Sequence, residues 1–503
     1  MLTLLLALTA HADPTTDPYD ALRTRTLRVA GVDQLVGSPA TLSEDATRWR
    51  ATLDTPPEWA GPELSTALAH LRGRLAPELA AQDDPSLSNL IWAVRPEIWG
   101  TGGDLVPVYI DGDPERGMAS ARGAIDAFAY AGPLETRLRV RADLDLAPTS
   151  GTAALEQWRL GIRTPGFAFA FTRESRWYGP ARHSSLLYTD NARPLPGLEL
   201  HGDWRWPGAL DMLGRFGGDL VVGLVPGERH DLQSPAFLLL DLRWQPHPVF
   251  EFGISRNSMF GGWVDGELRD IDVGHLILPV EPHIYDDTAK ELFDTDERLS
   301  ADARLNIPIR RIAHALGGNA PVDYLELYII HGGEDTAGTY LIPRLAGAAN
   351  VYGVEVAAGP AVATLERVIV ADDYQRWYRG HRLYHEGWMV DDRVIGNAWG
   401  GDSSSWWVQA GVVGLGNWTI LTSFEQSKKY LVADLAQDTL FVFPHQEIRH
   451  IGGLRGAYML ERGGWLGAEA QFSTLKNEDY LGGQDRMPWR VMLRWEAPTL
   501  TAR

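Results

Sequence analysis

The sequence predicts an all-β transmembrane barrel of about 18 antiparallel strands with a small N-terminal α-helical domain on the periplasmic side. Three observations predict it. First, residues 134–146 alternate almost without a break. Leu134, Thr136, Leu138, Val140, Ala142, Leu144 and Leu146 fall on one face, and Glu135, Arg137, Arg139, Arg141, Asp143 and Asp145 on the other. Side chains alternate along a strand, so this segment has one oily face and one charged face. Second, the charged face carries both signs, as a hydrogen-bonded lumen requires. Third, the pattern persists to the end of the chain, where Trp489, Val491, Leu493 and Trp495 alternate with Arg490, Met492 and Arg494. A water-soluble sheet would lay its oily face on a core. Strands this long, repeated this far, fit apolar residues turned to lipid and polar residues turned to an enclosed interior.

Composition narrows the function classes. The chain has 503 residues, with 46 Lys+Arg against 66 Asp+Glu, a formal charge of -20. That balance argues against nucleic acid as a partner, because phosphate binding needs a basic footprint. No stretch after the leader reaches about 18 consecutive apolar residues, so no membrane-spanning helix is expected. There are no cysteines, which removes disulfides, thiolate metal sites and Cys nucleophiles together. No metal and no cofactor are expected.

In chain order, the apolar run Leu2–Leu8 and the small-x-small ending Ala10-His11-Ala12 read as a signal peptide over residues 1–12. Residues 19–95 read as a periplasmic helical bundle. A first helix covers Tyr19 to Ala30. Thr41 and Glu44 have capping-box spacing and open a second, through Trp49. Leu64, Leu68, Leu71, Leu75 and Leu79 recur at helical spacing, with Pro62 in the first turn, Asp83-Asp84-Pro85 as a stop, and a kink expected between Gly73 and Pro77.

The barrel is expected over residues 105–503. Strands begin near Leu105, with Val106, Val108 and Ile110 leading to the turn Asp111-Gly112-Asp113. Ala119–Ala131 and Leu134–Leu146 form a hairpin around Gly132-Pro133. Trp158, Leu160 and Ile162 alternate with Gln157, Arg159, Gly161 and Arg163. After the turn Thr164-Pro165-Gly166 come Phe167, Phe169 and Phe171. Further strands are expected at intervals from Leu198 to Glu496, among them Tyr340–Ala346 and Arg376–Tyr384. At about 22 residues per strand and connection, roughly 400 residues support about 18 strands. The polar stretches Arg182–Asn191, Glu281–Leu299 and Glu386–Ser405 are expected as extracellular loops.

One interruption stands out. The alternation stops at Arg176-Trp177-Tyr178-Gly179-Pro180, followed by Ser184-Ser185-Leu186-Leu187 and then Asp190-Asn191-Ala192-Arg193-Pro194-Leu195-Pro196-Gly197. Trp and Tyr offer flat apolar faces with a polar tip, Asn, Arg and Asp bind hydroxyls, and the Gly and Pro residues set a rigid non-ladder backbone. This combination suits a sugar polymer, and Trp177, Tyr178, Arg182, Asn191 and Arg193 are the candidate polysaccharide-binding residues. An aromatic girdle at the membrane interface is the structural alternative for Trp177 and Tyr178.

With these residues the chain resembles the capsule-assembly Wzi family of Gram-negative outer membranes, whose members carry W-G-P, a Ser-Leu pair and N-A-x-P-x-P-G. The later Tyr384-His385-Glu386-Gly387, Arg393-Val394-Ile395-Gly396-Asn397 and Gly400-Gly401-Asp402 resemble the family's Y-x-H-G and R-x-I-G-H segments. Tyr178 is inserted in the first motif, Glu386 separates His385 from Gly387, and Asn397 stands where His is common. The resemblance implies a large outer-membrane barrel closed on the periplasmic side by helices. Its loops would bind, lectin-like, capsular or exopolysaccharide at the cell surface and assist capsule assembly. A binding protein rather than an enzyme is expected, a monomer, with outer-membrane lipid around it.

Other patterns are weaker. His381 and His385 are four apart but lack the Glu of HExxH, so a zinc protease is not expected. Gly401-Asp402-Ser403-Ser404 resembles the start of a lipolytic motif but sits in a Ser/Gly/Trp-rich loop. The acidic run Asp286, Asp287, Glu291, Asp294, Asp296 and Glu297 reads as a solvated loop, with divalent-cation binding as the alternative. The alternatives are a general porin, which would conduct ions, and a barrel hydrolase, for which no acid–base or nucleophile pair stands out.

Overall fold

The computed structural model describes residues 50, 53, 62–83, 90–103, 119–146, 149–164, 166–206, 208–226, 229, 233–264, 267–268, 296–334, 349–370, 377–378, 387–390, 393–429, 432–436, 439–442, 445–460, 464–478 and 481–502. Eighteen strands make one closed sheet. They are β1 (Ile91–Gly103), β2 (Ala119–Ala131), β3 (Leu134–Leu146), β4 (Thr149–Thr164), β5 (Phe167–Arg173), β6 (Pro196–Arg205), β7 (Arg215–Leu224), β8 (Ala236–His247) and β9 (Phe250–Phe260). They continue as β10 (Asp296–Ile307), β11 (Tyr324–Glu334), β12 (Ala349–Ala358), β13 (Ala361–Val370), β14 (Ser403–Leu415), β15 (Trp418–Lys429), β16 (Glu447–Met459) and β17 (Trp465–Lys476). The last, β18, is interrupted: Trp489–Glu496 and Leu500–Ala502 both pair with β1. Every strand pairs antiparallel with the next, and β18 closes the cylinder on β1.

The closed sheet is inside out relative to a soluble protein. Leu134, Leu160, Phe171 and Leu493 are 46%, 64%, 51% and 62% exposed, while Arg137, Arg139, Arg141 and Asp143 are buried in the lumen. An apolar outer surface around a polar interior places the barrel in an outer membrane. Trp204, Phe216, Trp244 and Phe252 stack along the outside with ring centroids 6.2, 6.1 and 5.9 Å apart, forming part of an aromatic girdle. At that end the connections are tight, as in 131–134, 164–167 and 358–361, whereas those at the opposite end are mostly long, as in 173–196 and 370–403. Short turns mark the periplasmic end and long loops the extracellular end.

Helices Pro62–Arg74 and Ala76–Asp83 pack at the short-turn end. Leu68, Leu71 and Leu75 bury against Tyr324, Ala357, Val413, Leu421, Met459 and Trp465. The break falls at Leu75, between Gly73 and Pro77, where the kink is expected; a Pro ring clashes with the preceding helical turn. His70 Nε2 lies 3.2 Å from Asn417 Oδ1 in the β14–β15 turn. Arg50 pairs with Asp83 at 2.7 Å and donates to the Leu79 carbonyl at 2.7 Å.

The seam between β18 and β1 is clamped by side chains. Arg95 Nε donates to Thr499 Oγ1 at 3.0 Å and lies 3.6 Å from Glu496 Oε1, and the Ala497 amide donates to the Pro96 carbonyl at 2.9 Å.

The hairpin Ala119–Ala131/Leu134–Leu146 is as expected, with Ala131 opposite Leu134. Four expectations are corrected. The first strand begins at Ile91, so the barrel starts ahead of residue 105, and residues 91–95 leave the helical segment. Ile91, Trp92, Ala93 and Val94 are apolar on both faces and Pro96 interrupts them, so no alternation marks the strand. Arg182–Asn191 does not project as an extracellular loop; it folds into the lumen. The polar stretch Glu281–Leu299 ends in strand, because Asp296 and Arg298 face the polar interior.

Of Arg376–Tyr384, Trp377 and Tyr378 are described, and they form a buried turn rather than a strand. The leader 1–12, the helices Tyr19–Ala30 and Thr41–Trp49, the segment 105–113, Tyr340–Ala346, Asp286–Asp294, His381 and His385 lie outside the described residues.

Candidate functional site

Between β5 and β6 the chain leaves the sheet and turns inward. Every residue from Glu174 to Leu195 is buried except Arg193, which is half-buried. Local chemistry accounts for the departure. Gly179 has φ +105°, and a Cβ there would lie 2.9 Å from Ile330 Cδ1. Pro180 and Pro194 lack the amide a ladder needs. Trp177 Nε1 donates to the Ala181 carbonyl at 3.1 Å, the Tyr178 amide to the Tyr188 carbonyl at 3.2 Å, and Ser185 Oγ to the Tyr178 carbonyl.

Four inward-facing carboxylates of the barrel wall hold this segment. Glu366 on β13 accepts from three successive amides, those of Arg182, His183 (3.0 Å) and Ser184 (3.2 Å), and from the Tyr328 hydroxyl. The Arg182 guanidinium donates to Glu326 on β11 and to Glu355 on β12 at 3.2 Å. Burial works to lower its pKa, but the Glu326 and Glu355 carboxylates more than offset this and hold it above the usual arginine range. The His183 ring stacks on Trp407 at 4.7 Å with planes 3° apart, and its Nε2 lies 3.0 Å from Glu425 on β15. At the segment's entrance, Arg176 pairs with Glu199, and Glu174 with Arg137 and Arg159. The Tyr178 hydroxyl has no hydrogen-bond partner among the described residues, and burial pushes its pKa well up.

A second inserted segment locks onto the first. Asn397 Nδ2 donates to Ser184 Oγ at 2.8 Å, Asn191 Nδ2 to the Val394 carbonyl at 3.0 Å, Thr189 Oγ1 to the Gly396 carbonyl at 2.5 Å, and the Tyr378 hydroxyl to the Leu186 carbonyl. Asn397 Oδ1 in turn accepts from the Trp399 amide at 2.8 Å, and Trp399 Nε1 donates to Glu425 Oε1 at 2.5 Å. Arg298 spans the Tyr378 and Trp388 rings at 4.6 and 4.3 Å. Leu186, Leu187, Tyr188, Trp377, Tyr378, Trp388 and Ile395 share one apolar core in the lumen. The two stretches singled out in the sequence, 200 residues apart, are therefore one hydrogen-bonded unit across the barrel (Thr189 and Gly396 are separated by 207 positions).

This chain belongs to the Wzi capsule-assembly family. The family model for capsule assembly protein Wzi matches residues 108–487 and so takes in both segments. Among solved structures, an outer-membrane protein of Escherichia coli has a TM-score of 0.68 at 15% identity, covering 98% of this chain and 99% of that one. It is Wzi, described as involved in group 1 capsule assembly and as a carbohydrate-binding β-barrel. OprD of Pseudomonas aeruginosa gives a TM-score of 0.45 at 10% identity over 83% of this chain and 96% of that one. OpdQ of the same organism gives 0.43 at 9%, over 82% and 98%. No curated protein matches the sequence.

In this Wzi-family barrel, Trp177, Tyr178, Arg182 and Asn191 come together in the inserted unit, away from the outer girdle, and Arg193 lies at its edge. Sequence reasoning passed over Glu326, Glu355, Glu366 and Glu425. Their signal is a carboxylate on the inward parity of four strands in one sector of the barrel. The Gly401-Asp402-Ser403 stretch is structural: Ser403 Oγ donates to the Gly400 carbonyl at 2.7 Å as β14 begins. Among the described residues, no three His, Asp or Glu side chains are placed to hold a metal ion.

Proposed function

We propose that this protein binds and tethers capsular or exopolysaccharide at the outer face of the outer membrane and assists capsule assembly there, without turning the polymer over. The observation that carries the reading is the joined pair of family segments buried inside the lumen. A filled lumen suits a fixed platform for a polymer better than a conduit for solutes. On this reading Trp177, Tyr178, Arg182 and Asn191 serve polysaccharide binding by shaping that platform, and half-buried Arg193 is the one of the five open to a ligand. The helices within residues 19–95 would close the periplasmic end, and the protein would work as a monomer surrounded by outer-membrane lipid.

The test is retention. Cells lacking the protein should shed surface polysaccharide into the medium, and the wild-type chain should restore it. Purified protein should capture the native polymer in a pull-down. Equal cell-bound polysaccharide with and without the protein would overturn the reading. A porin would instead carry steady current in planar bilayers, and a hydrolase would shorten the polymer.

A further inference from the structure

The outward face of β13 to β17 changes character near its extracellular end. The strand register sets Arg367, Trp406, Gln426, His450 and Thr474 side by side in one cross-strand row. One row nearer the extracellular end run Ile369, Ser404, Lys428, Ile448 and Lys476. One row nearer the bilayer centre run Leu365, Val408, Phe424, Gly452 and Phe472, with no polar side chain. Trp406, Val408, Phe424 and Phe472 are exposed, whereas their chain neighbours Ser405, Trp407, Glu425 and Ser473 are buried, so all three rows face outward.

The middle row is already ordered. Gln426 Nε2 lies 2.9 Å from His450 Nε2, and His450 Nδ1 lies 3.3 Å from Thr474 Oγ1. Arg367 lies 4.9 Å over the Trp406 ring and donates to the Ser405 carbonyl at 3.2 Å. Above it, Lys428 and Lys476 flank Ile448. They are two strand spacings apart, about 10 Å, which two lysine side chains can bridge. Among the described residues neither lysine makes a hydrogen bond or ion pair. In a chain of net charge -20, this is a local concentration of cations. Polar rows on a lipid-facing wall are costly at the membrane centre and cheap at the headgroups.

We propose that Lys428 and Lys476, with Arg367, His450 and Thr474 beneath them, bind the phosphates of a phosphorylated glycolipid of the outer leaflet, whose acyl chains lie along Val408, Phe424 and Phe472. Charge complementarity selects the phosphates, and the apolar row selects a lipid over a free anion. The site lies on the lipid-facing wall, and its test involves no capsular polymer, so it stands or falls separately from the tethering function.

The experiment titrates the full-length protein in neutral detergent with diphosphorylated lipid A, with the same lipid stripped of phosphate, and with inorganic phosphate. Binding is read by native mass spectrometry. Lys428→Gln/Lys476→Gln should bind lipid A about thirtyfold more weakly, and Lys428→Arg/Lys476→Arg should bind as wild type. All variants should keep the gel mobility of the folded barrel, since both lysines are exposed. Wild-type affinity should fall with added salt. Unchanged affinity in the Gln variant, equal binding of the phosphate-free lipid, or displacement of lipid A by millimolar inorganic phosphate would each overturn the proposal.

Discussion

Arg182 shows what a single buried charge does in this lumen. It pairs with both Glu326 and Glu355; removing it takes a guanidinium from two buried carboxylates, although Glu326 keeps Arg304 and Glu355 keeps the Tyr324 and Thr364 hydroxyls. Breaking one partner of a buried ion pair costs about 3–5 kcal/mol. Arg182→Ala should therefore lower the unfolding free energy of the purified barrel by about that much, read from the shift of its denaturant midpoint and followed as loss of the fast-migrating folded band. Tyr178 offers the contrast. Its hydroxyl is buried without a hydrogen-bond partner among the described residues, so Tyr178→Phe should change stability by less than about 1 kcal/mol or raise it. A loss of several kcal/mol in the same assay would mean that the hydroxyl has a partner in solution. Gly396 is the backbone counterpart. It has φ +138°, and a Cβ there would lie 2.7 Å from the Leu186 carbonyl oxygen. Gly396→Ala should push the two inserted segments apart.

At the scale of elements, the inserted segments are joined to each other as well as to the wall. The Asn397–Ser184 bond is the most direct join between side chains, and Asn397 also positions Trp399 through its other amide atom. Asn397→Ala and Ser184→Ala should each destabilise by about 1 kcal/mol and combine with less than additive loss in a double-mutant cycle. Strict additivity would mean that the two segments are held independently.

This element also marks where sequence reading stops. Alternation over Leu134–Leu146 reports which face each residue takes, because the period of a strand is local. The inward turn of Glu174–Leu195 is not local. Its partners Glu326, Glu355, Glu366 and Glu425 lie 144 to 242 positions away, and nothing in Arg182-His183-Ser184 distinguishes a buried segment from a wet loop. Strand β1 was hidden for a different reason: Trp92 and Val94 on the outer face and Ile91 and Ala93 on the inner face erase the period.

For the whole molecule, the inserted unit is buried inside the barrel, and the two described helices pack against the short-turn end. Wild-type protein should therefore pass little current in planar bilayers. Deleting residues 62–83 should not open a steady pore while the inserted unit remains. Combining that deletion with Glu366→Ala, which removes the acceptor for three amides of the unit, should produce channel events. Large conductance in the wild type would contradict the packing described above.

The clamped seam carries a consequence for biogenesis. Arg95 belongs to β1, and its partners Glu496 and Thr499 belong to the β18 region, Thr499 lying 404 positions further along the chain. Asp126 already stands opposite Arg95 on β2 and interacts with it electrostatically, so the contacts from β18 add to that neutralisation and are gained only when the cylinder closes. Closure thus draws on contacts that no partial cylinder can make, and a chain cut before residue 489, which has no β18 to pair with β1, should remain an open, protease-sensitive ribbon when refolded into detergent.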